Sequence, residues 1–247
     1  MNSLKFLKKF TKNNKFIQYT EPLIYNEFPT HPARDVPNHI ARPTYEAHPA
    51  ENQDFYQNAG HGTVSIYKNK EEIENFKKAC KIAAEALRQA CLNIKEGSTT
   101  EDADKIIHDY IISQNAYPAA INYMGFPKSV CTSVNEIACH GIPNMRKLKN
   151  GDFVNFDVTA YYGGFIGDTS AMVMIGEVHP DIKNLIEVTR NAMFKAISIC
   201  KPGEKISKIG ETIEDYVRSF GYTVCTEFIG HGVGKYMHMQ PMVSHVR

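Results

Sequence analysis

One pattern of turn and helix signals occurs twice along this chain, and it restricts the possible folds more than any other feature. In the first copy, Gly97 is followed 12 residues later by an Asp-Tyr pair at 109–110. In the second copy, Gly203 is followed at the same distance by an Asp-Tyr pair at 215–216. A later tyrosine closes each copy: Tyr117 and Tyr222. Several matches in the same order indicate an internal duplication, so two halves built to one plan are predicted.

Each copy begins with a predicted pair of helices. In the first copy, residues 71–95 carry apolar side chains at the three- and four-residue spacing of one buried helix face. These side chains are Ile73, Phe76, Cys80, Ala83, Ala84, Leu87, Cys91 and Ile94. Gly97 ends this helix, and Thr99 with Asp102 resembles a capping box, with Asp in place of the usual Glu or Gln. The second helix then continues to a turn near Asn115.

Between the two copies the sequence changes to strand signals. A short β-prone run covers residues 128–134, and two longer runs cover residues 151–160 and 165–175. Gly163-Gly164 joins the two longer runs, which is a strong signal for a β-hairpin. Each half is therefore expected to contain two helices followed by antiparallel strands, which is an α+β fold.

The composition argues against several classes of protein. The 28 basic and 27 acidic residues give a formal net charge of +1, which indicates no nucleic acid partner. No apolar run is long enough to span a bilayer. The six cysteines contain no CxxC pair, a usage that fits buried thiols in a reducing compartment such as the cytoplasm better than a disulfide scaffold.

Residues 1–70 are predicted to be a basic tail followed by an extended arm. Lysines and apolar residues alternate in the first 20 residues, a pattern that suits either an organelle-targeting peptide or a disordered tail. The absence of arginine before Arg34 and of a small-residue cleavage site favours the tail. Six prolines between residues 22 and 50 predict an arm without regular structure on the surface of a domain formed by residues 71–247.

The predicted hairpin brings two aspartates to one face. With a two-residue turn at Gly163-Gly164, residue 162 pairs with 165 and residue 157 with 170. Asp168 is then a diagonal neighbour of Asp157, at about 7–8 Å, and both carboxylates can converge on one ion. The alternative is two solvated aspartates on the wet face of the hairpin, and this pattern alone does not choose between them.

Two histidine motifs favour the site. Cys139-His140-Gly141 is expected to place a histidine at a strand end before a turn. His231 lies between Gly230 and Gly232, which allow close approach of backbone and ligands. His238 follows seven residues later, near His231 if the chain turns there. A lone histidine is more often structural, but glycines on both sides are not what a core histidine needs.

Several long strings resemble one protein family. They are NYMGFPKSVCTSVNEIACHGIPN, GDFVNFDVTAYYGGFIGDTSAM and EFIGHGVGKYMHMQPMV, and the proline-rich PARDVPNHIARPTYEAHP resembles the arm of eukaryotic members. Together they resemble the type I methionine aminopeptidases over residues 32–245. The resemblance implies the pita-bread fold, in which two pseudo-symmetric halves enclose a pair of metal ions, and residues 71–247 are then the metallopeptidase catalytic domain.

The resemblance also implies a role for each site residue. Asp157 is similar to the bidentate ligand of one metal, Asp168 to the carboxylate that bridges both, and His231 to the imidazole ligand of the other. His140 and His238 resemble the catalytic histidines that bind the substrate peptide and its tetrahedral intermediate. The positions that match the methionine pocket are Tyr123, Phe126, Cys131 and Met237. Met237 departs from the family, where an aromatic residue is usual.

Cofactor and partners follow from the same resemblance. It implies two divalent metal ions. The residue types fit Mn, Fe, Co or Zn and do not distinguish among them. It implies nascent chains with an N-terminal methionine as substrates, with the ribosome as a candidate partner, and neither nucleic acid nor a membrane.

The resemblance further implies two glutamate ligands, and the internal repeat places their equivalents beyond Arg247. Val246-Arg247 also departs from the family pattern, so the hypothesis is a truncated or mis-spliced product that binds metal weakly and hydrolyses little. Two alternatives stay open: a catalytically dead pita-bread fragment that acts as a binding module, and a relative that cleaves X-Pro bonds.

Overall fold

A computed structural model describes residues 28–47, 64, 67 and 69–247. The predicted basic tail at residues 1–20 lies outside these residues. No helix in the described part of the chain is both long and apolar enough to cross a membrane.

The two predicted helices of the first half are confirmed. Helix α1 is Lys70–Asn93, and the side chain of Asn69 caps it by accepting a hydrogen bond from the Glu72 amide. Helix α2 is Thr100–Ser113. Thr99 and Asp102 form the predicted capping box, in which each side chain accepts from the other residue's amide, at 3.2 and 2.7 Å. This exchange satisfies two amides that the first helical turn leaves without a partner.

A four-stranded antiparallel sheet follows the helices. Its strands are β1 Tyr117–Pro118, β2 Val130–Val134, β3 Phe153–Tyr162 and β4 Phe165–Met174. Strand β3 pairs with β4 along one edge and with β1 and β2 along the other. The predicted hairpin register is confirmed, because Tyr162 pairs with Phe165 and Asp157 with Ser170. Gly163 and Gly164 have φ values of 57° and 87°, which a primed two-residue turn requires.

The core lies between this sheet and the helices. Val154, Phe156 and Val158 alternate along β3 and point into one buried cluster with residues of α1 and α2. Gly167 of β4 allows α1 to approach closely, because a Cβ atom there would lie 2.4 Å from the Cys80 nitrogen. The opposite face of the hairpin, which carries Asp157, is therefore turned away from the helices.

The second half begins with the same backbone conformations as the first. Helices α3 Pro180–Ile199 and α4 Ser207–Arg218 are joined through Gly203, whose φ of 85° matches the 84° of Gly97. After α4, the Tyr222 amide donates to the Val217 carbonyl at 3.1 Å, as the Ala116 amide does to Ile111 at 3.2 Å. Tyr222 therefore corresponds to Ala116, one residue before Tyr117. Strands β5 Gly230–Gly232 and β6 Met239–Val243 form a two-stranded antiparallel sheet.

The described arm, residues 28–47, lies against the first half. Val36 and Ile40 are buried against Tyr117 and Ile121, so this part of the arm packs on the first half. The prediction that it contains no regular structure is wrong at Thr44–Ala47, which form a 3-10 turn. The physical reason is that proline is tolerated before a helical turn, and the Pro43 carbonyl accepts the Glu46 amide at 3.1 Å.

Candidate active site

The residues that the sequence assigns to the site all line one cavity, with a volume of about 460 Å³. They are Tyr123, Phe126, Cys131, His140, Asp157, Asp168, His231, Met237 and His238. They come from β2, β3, β4 and β5 and from the connections β1–β2, β2–β3 and β5–β6. The fold therefore joins residues that are far apart in the sequence into one concave site.

The carboxylate pair of the hairpin, Asp157 and Asp168, lines this cavity. Asp168 pairs with Thr159 across the ladder and is diagonal to Asp157, as the predicted register required. The two carboxyl groups lie close enough to influence each other's pKa, and only 23% of the Asp168 side chain is exposed. Burial raises the pKa of both groups, and the charge of Asp168 raises that of Asp157 further. Two carboxylates so close and so poorly solvated require a shared proton or a cation.

His231 approaches this pair from the second half. It lies in β5, and its Nε2 atom is 3.8 Å from Oδ2 of Asp168. Its Nδ1 atom is 3.0 Å from the Gly232 carbonyl oxygen, which can only accept, so Nδ1 carries the proton. The Nε2 lone pair therefore faces the carboxylates. Gly232 is required here because a Cβ atom would lie 2.3 Å from the Gln240 carbonyl oxygen of β6.

The donor set suits divalent transition metals. Among the described residues, no three carboxylate, imidazole or thiol groups are gathered tightly enough to hold an ion as they stand. Asp157, Asp168 and the free Nε2 of His231 nevertheless combine carboxylate oxygens with one imidazole nitrogen, which fits Mn, Fe, Co or Zn. The fixed Nδ1–H bond to a carbonyl is the usual orienting contact of a histidine ligand.

His238 lies beside His231 on the same wall. Their ring centroids are 4.5 Å apart in an edge-on arrangement, which confirms that the chain turns between them. Nδ1 of His238 is 2.7 Å from the Tyr123 hydroxyl. The Ile166 amide donates to the Gly234 carbonyl at 2.7 Å and fixes this loop to the end of the hairpin.

The predicted position of His140 at a strand end is wrong. His140 lies six residues beyond the end of β2, exposed, with a φ of 55°. The Thr132 amide donates to the Gly141 carbonyl at 2.7 Å, so the returning loop runs beside the strand. A Cβ atom at Gly141 would lie 2.3 Å from the Thr132 carbonyl oxygen. Only glycine allows this approach, which presents His140 at the cavity mouth.

The remaining walls are largely apolar. Phe126 and Met237 line one region, and Ala120, Met124 and Ile142, which the sequence analysis did not select, extend it. Cys131 pairs with Asp157 across the β2–β3 ladder. Burial, with the nearby Asp157 charge, raises the pKa of its thiol to about 12. Cys131 therefore stays a protonated, apolar wall residue near neutral pH and is no nucleophile.

Thr159 is the polar residue that the sequence reasoning did not assign to the site. It is two residues from Asp157 on the same strand face, and this spacing was the available signal. Its side chain lines the cavity, and its buried Oγ1 has no hydrogen-bond partner among the described residues. An unsatisfied hydroxyl beside two carboxylates is a position where a bound ligand or water gains a hydrogen bond.

Comparison with known proteins gives the family. A model of metallopeptidase family M24 matches residues 74–247. Methionine aminopeptidase 2 of Mycobacterium tuberculosis is 44% identical over 87% of this chain and 72% of its own length. The mitochondrial methionine aminopeptidase 1D of Homo sapiens is 42% identical over 86% of this chain. This chain spans 62% of the human relative and 56% of a chloroplastic relative from Arabidopsis thaliana.

Solved structures agree with this assignment. The crystal structure of a methionine aminopeptidase from Rickettsia prowazekii matches with a TM-score of 0.71 and 41% identity, over 74% of each chain. A prolidase from Pyrococcus furiosus matches with a TM-score of 0.62 and 25% identity, over 73% of this chain and 52% of its own. The α+β fold is therefore the pita-bread fold that the resemblance implied. The chain belongs to metallopeptidase family M24 and, within it, to the methionine aminopeptidases.

Proposed function

We propose that the cavity hydrolyses the first peptide bond of chains that begin with methionine. The observation that supports this reaction most strongly is the convergence of Asp157, Asp168 and the free Nε2 of His231 at one end of an apolar cavity. The family's peptidases use divalent metal ions. Asp157, Asp168 and His231 would hold such ions, which would supply activation of water and polarisation of the scissile carbonyl.

In this proposal the histidines bind and orient the peptide. With the Tyr123 hydroxyl donating to Nδ1 of His238, the imidazole keeps its proton on Nε2 and presents a donor to a substrate carbonyl. His140, on the loop between β2 and β3, presents a second imidazole to the cavity. Donors aimed at an oxygen that becomes negative in the transition state contribute most to rate.

The apolar walls select the substrate. Tyr123, Phe126, Cys131 and Met237 surround a space suited to an unbranched methionine side chain. A pocket of this kind discriminates by about 1–3 kcal/mol per methylene, so small second residues are favoured by size and not by hydrogen bonding. A free α-amine on the substrate would be held near Asp157 and Asp168, which would restrict cleavage to the first residue.

The test measures metal content and cleavage together. The purified chain is loaded in turn with Mn, Fe, Co and Zn and given a matched set of Met-Gly, Leu-Gly and X-Pro peptides, with the Rickettsia enzyme as the positive control. Metal-dependent release of methionine that is lost in Asp168→Asn supports the proposal. X-Pro cleavage would favour a prolidase-like activity, which is the alternative that the Pyrococcus match suggests. Metal and peptide binding with no release would favour the binding-module alternative.

We also propose a location and a partner. The free thiols of the described residues fit a reducing compartment such as the cytoplasm. The names of the human and Arabidopsis relatives place those proteins in mitochondria or chloroplasts. Fusing residues 1–20 to a fluorescent protein distinguishes cytoplasmic location from organelle targeting. Fluorescence in mitochondria or chloroplasts would support targeting. Co-sedimentation with ribosomes tests the ribosome as a partner.

A further inference from the structure

The arm contributes one buried residue directly behind the cavity. Tyr45 is only 4% exposed and packs in one apolar cluster with Ala119, Ile166 and Met237. Its hydroxyl donates to the Ala119 carbonyl at 2.5 Å. Met237 of this cluster lines the cavity, so the arm is separated from the substrate space by a single layer of side chains.

Tyr45 and its neighbour also hold the turn that carries Tyr123. The rings of Tyr45 and Tyr123 are 5.1 Å apart at 84°, which is an edge-to-face contact. Glu46 Oε1 accepts a hydrogen bond from the Asn122 side-chain amide at 2.9 Å. Arg42 fixes the Glu46 carboxylate through an ion pair at 2.8 Å. Two consecutive residues of the arm therefore bind two consecutive residues of the turn.

This turn is strained and requires outside support. Asn122 and Met124 have φ values of 61° and 50°, in the left-handed region that non-glycine residues rarely adopt. Such residues persist only where the surrounding structure over-determines their conformation, and they concentrate at ligand sites. Tyr123 lies between them and places its hydroxyl 2.7 Å from Nδ1 of His238.

We infer that Tyr45 and Glu46 are positioning residues of the active site, which hold the Asn122–Met124 turn so that the Tyr123 hydroxyl stays on His238. The inference rests on the proposed function only for the role of His238 toward substrate. The contacts from the arm to Tyr123 and from Tyr123 to His238 do not depend on that role. The arm is then part of the enzyme site, and it does more than stabilise the domain.

A second part of the arm provides the matched control. Ile40 is 3% exposed and packs with Val36, Tyr117 and Ile121 in a different cluster from that of Tyr45. Ile40→Ala therefore weakens arm docking without removing a contact to Tyr123. If the arm only stabilises the domain, the Tyr123–His238 contact in the folded protein is the same in Ile40→Ala and Tyr45→Ala.

The experiment detects the Tyr123–His238 hydrogen bond through the ¹⁵N chemical shift of His238 Nδ1. It uses metal-free protein labelled with ¹⁵N at histidine, with all spectra recorded at one pH. Tyr123→Phe deletes the bond and defines the unbound Nδ1 resonance, and a His238→Gln sample assigns it. We expect Tyr45→Ala to shift this resonance toward the position seen in Tyr123→Phe. Glu46→Gln should shift it less. Tyr45→Phe keeps the aromatic ring and should shift it least. Ile40→Ala is expected to leave it in place. An unshifted resonance in folded Tyr45→Ala overturns the inference.

Activity is a second and separate readout. Where methionine release is measurable, Tyr45→Ala lowers kcat by roughly 10- to 100-fold with KM little changed, since a small misplacement of an orienting group costs this much. Ile40→Ala stays within about twofold of the wild type in the folded protein. If no variant or wild type releases methionine, the proposed function fails while the NMR result still decides the positioning role.

Discussion

The Nε2 atom of His231 lies 3.8 Å from Oδ2 of Asp168, although the two residues belong to different sheets and to different halves of the fold. The carbonyl of Gly232 holds the Nδ1 proton and leaves Nε2 free toward the carboxylate pair. This juxtaposition brings an imidazole and two carboxylates together in a cavity with largely apolar walls.

Replacing Asp168 removes the carboxylate that lies near both Asp157 and His231. Asp168→Asn keeps the size of the side chain but removes the charge that faces Asp157 and His231. We expect affinity for Mn²⁺ or Co²⁺ to fall by about 100-fold or more, since even residues behind a ligand contribute 10- to 100-fold. Isothermal titration calorimetry measures this change. Asp109→Asn, the same substitution at an exposed position of α2, is the control, and equal affinity in both variants would contradict the assignment.

The raised pKa values of the aspartate pair predict a pH-dependent stability of the metal-free protein. Burial raises both pKa values above the unfolded value of about 3.9, so the pair's stability contribution is complete below that pH and is lost as pH rises through the folded pKa values. Asp157→Asn therefore stabilises the chelator-treated protein at pH 8 by about 1–3 kcal/mol and has little effect near pH 4. Urea unfolding at both pH values measures this. A change independent of pH would show that the pair is not desolvated.

The buried ion pair of Lys128 and Glu101 predicts that a single substitution destabilises the protein more than a double substitution does. The Lys128 ammonium is fully buried and donates to Glu101 Oε1 at 2.5 Å, and the same oxygen accepts the His31 amide of the arm. Glu101→Ala leaves Lys128 buried and unpaired and is expected to cost about 3–5 kcal/mol of unfolding free energy. Adding Lys128→Met recovers part of that loss.

The control for this pair is Glu74→Ala, which removes an exposed ion pair with Lys77. Its effect is expected to stay within about 0.5 kcal/mol. Chemical denaturation compares the variants. A double variant no more stable than Glu101→Ala would mean that the ammonium is not the source of the penalty.

Glycine at 232 is predicted to be essential to the position of His231. Gly232→Ala drives a Cβ atom to 2.3 Å from the Gln240 carbonyl oxygen of β6, and a backbone atom cannot move aside at low cost. We expect a loss of about 1–3 kcal/mol and weaker metal binding. Gly230→Ala is the matched control, because its Cβ atom first meets side-chain atoms of His245 and Val243 at 3.1 and 3.3 Å. Thermal unfolding and metal titration compare the two, and an equal loss in both would contradict the steric argument.

Local rules account for the part of the site that lies on the hairpin. Gly163-Gly164 sets a two-residue turn, that turn sets the register, and the register places Asp168 diagonal to Asp157. The capping box at Thr99 and Asp102 is local in the same way. Each of these features is decided by residues a few positions apart, so periodicity and turn chemistry are sufficient to predict them.

His140 shows where local rules fail. Its sequence neighbours indicated a strand end, but it lies on a loop that folds back along β2, because Gly141 can approach the Thr132 carbonyl. Residue spacing does not reveal which backbone atom a loop will pack against. Thr159 is a similar case, since its position two residues from Asp157 is visible, but its unsatisfied hydroxyl appears only once the cavity has closed around it.

The sequence by itself determined the two helix pairs, the hairpin and its register, because those features follow from hydrophobic periodicity, the internal repeat and short-range turn geometry. The candidate ligands were predicted from the resemblance to the family. Tertiary structure alone decided that His231 faces Asp168, that Tyr45 of the arm packs on Tyr123, and that Lys128 is buried on Glu101. These contacts join segments up to 78 residues apart (45 to 123). They depend on how separate elements pack around a shared core, which no local pattern encodes.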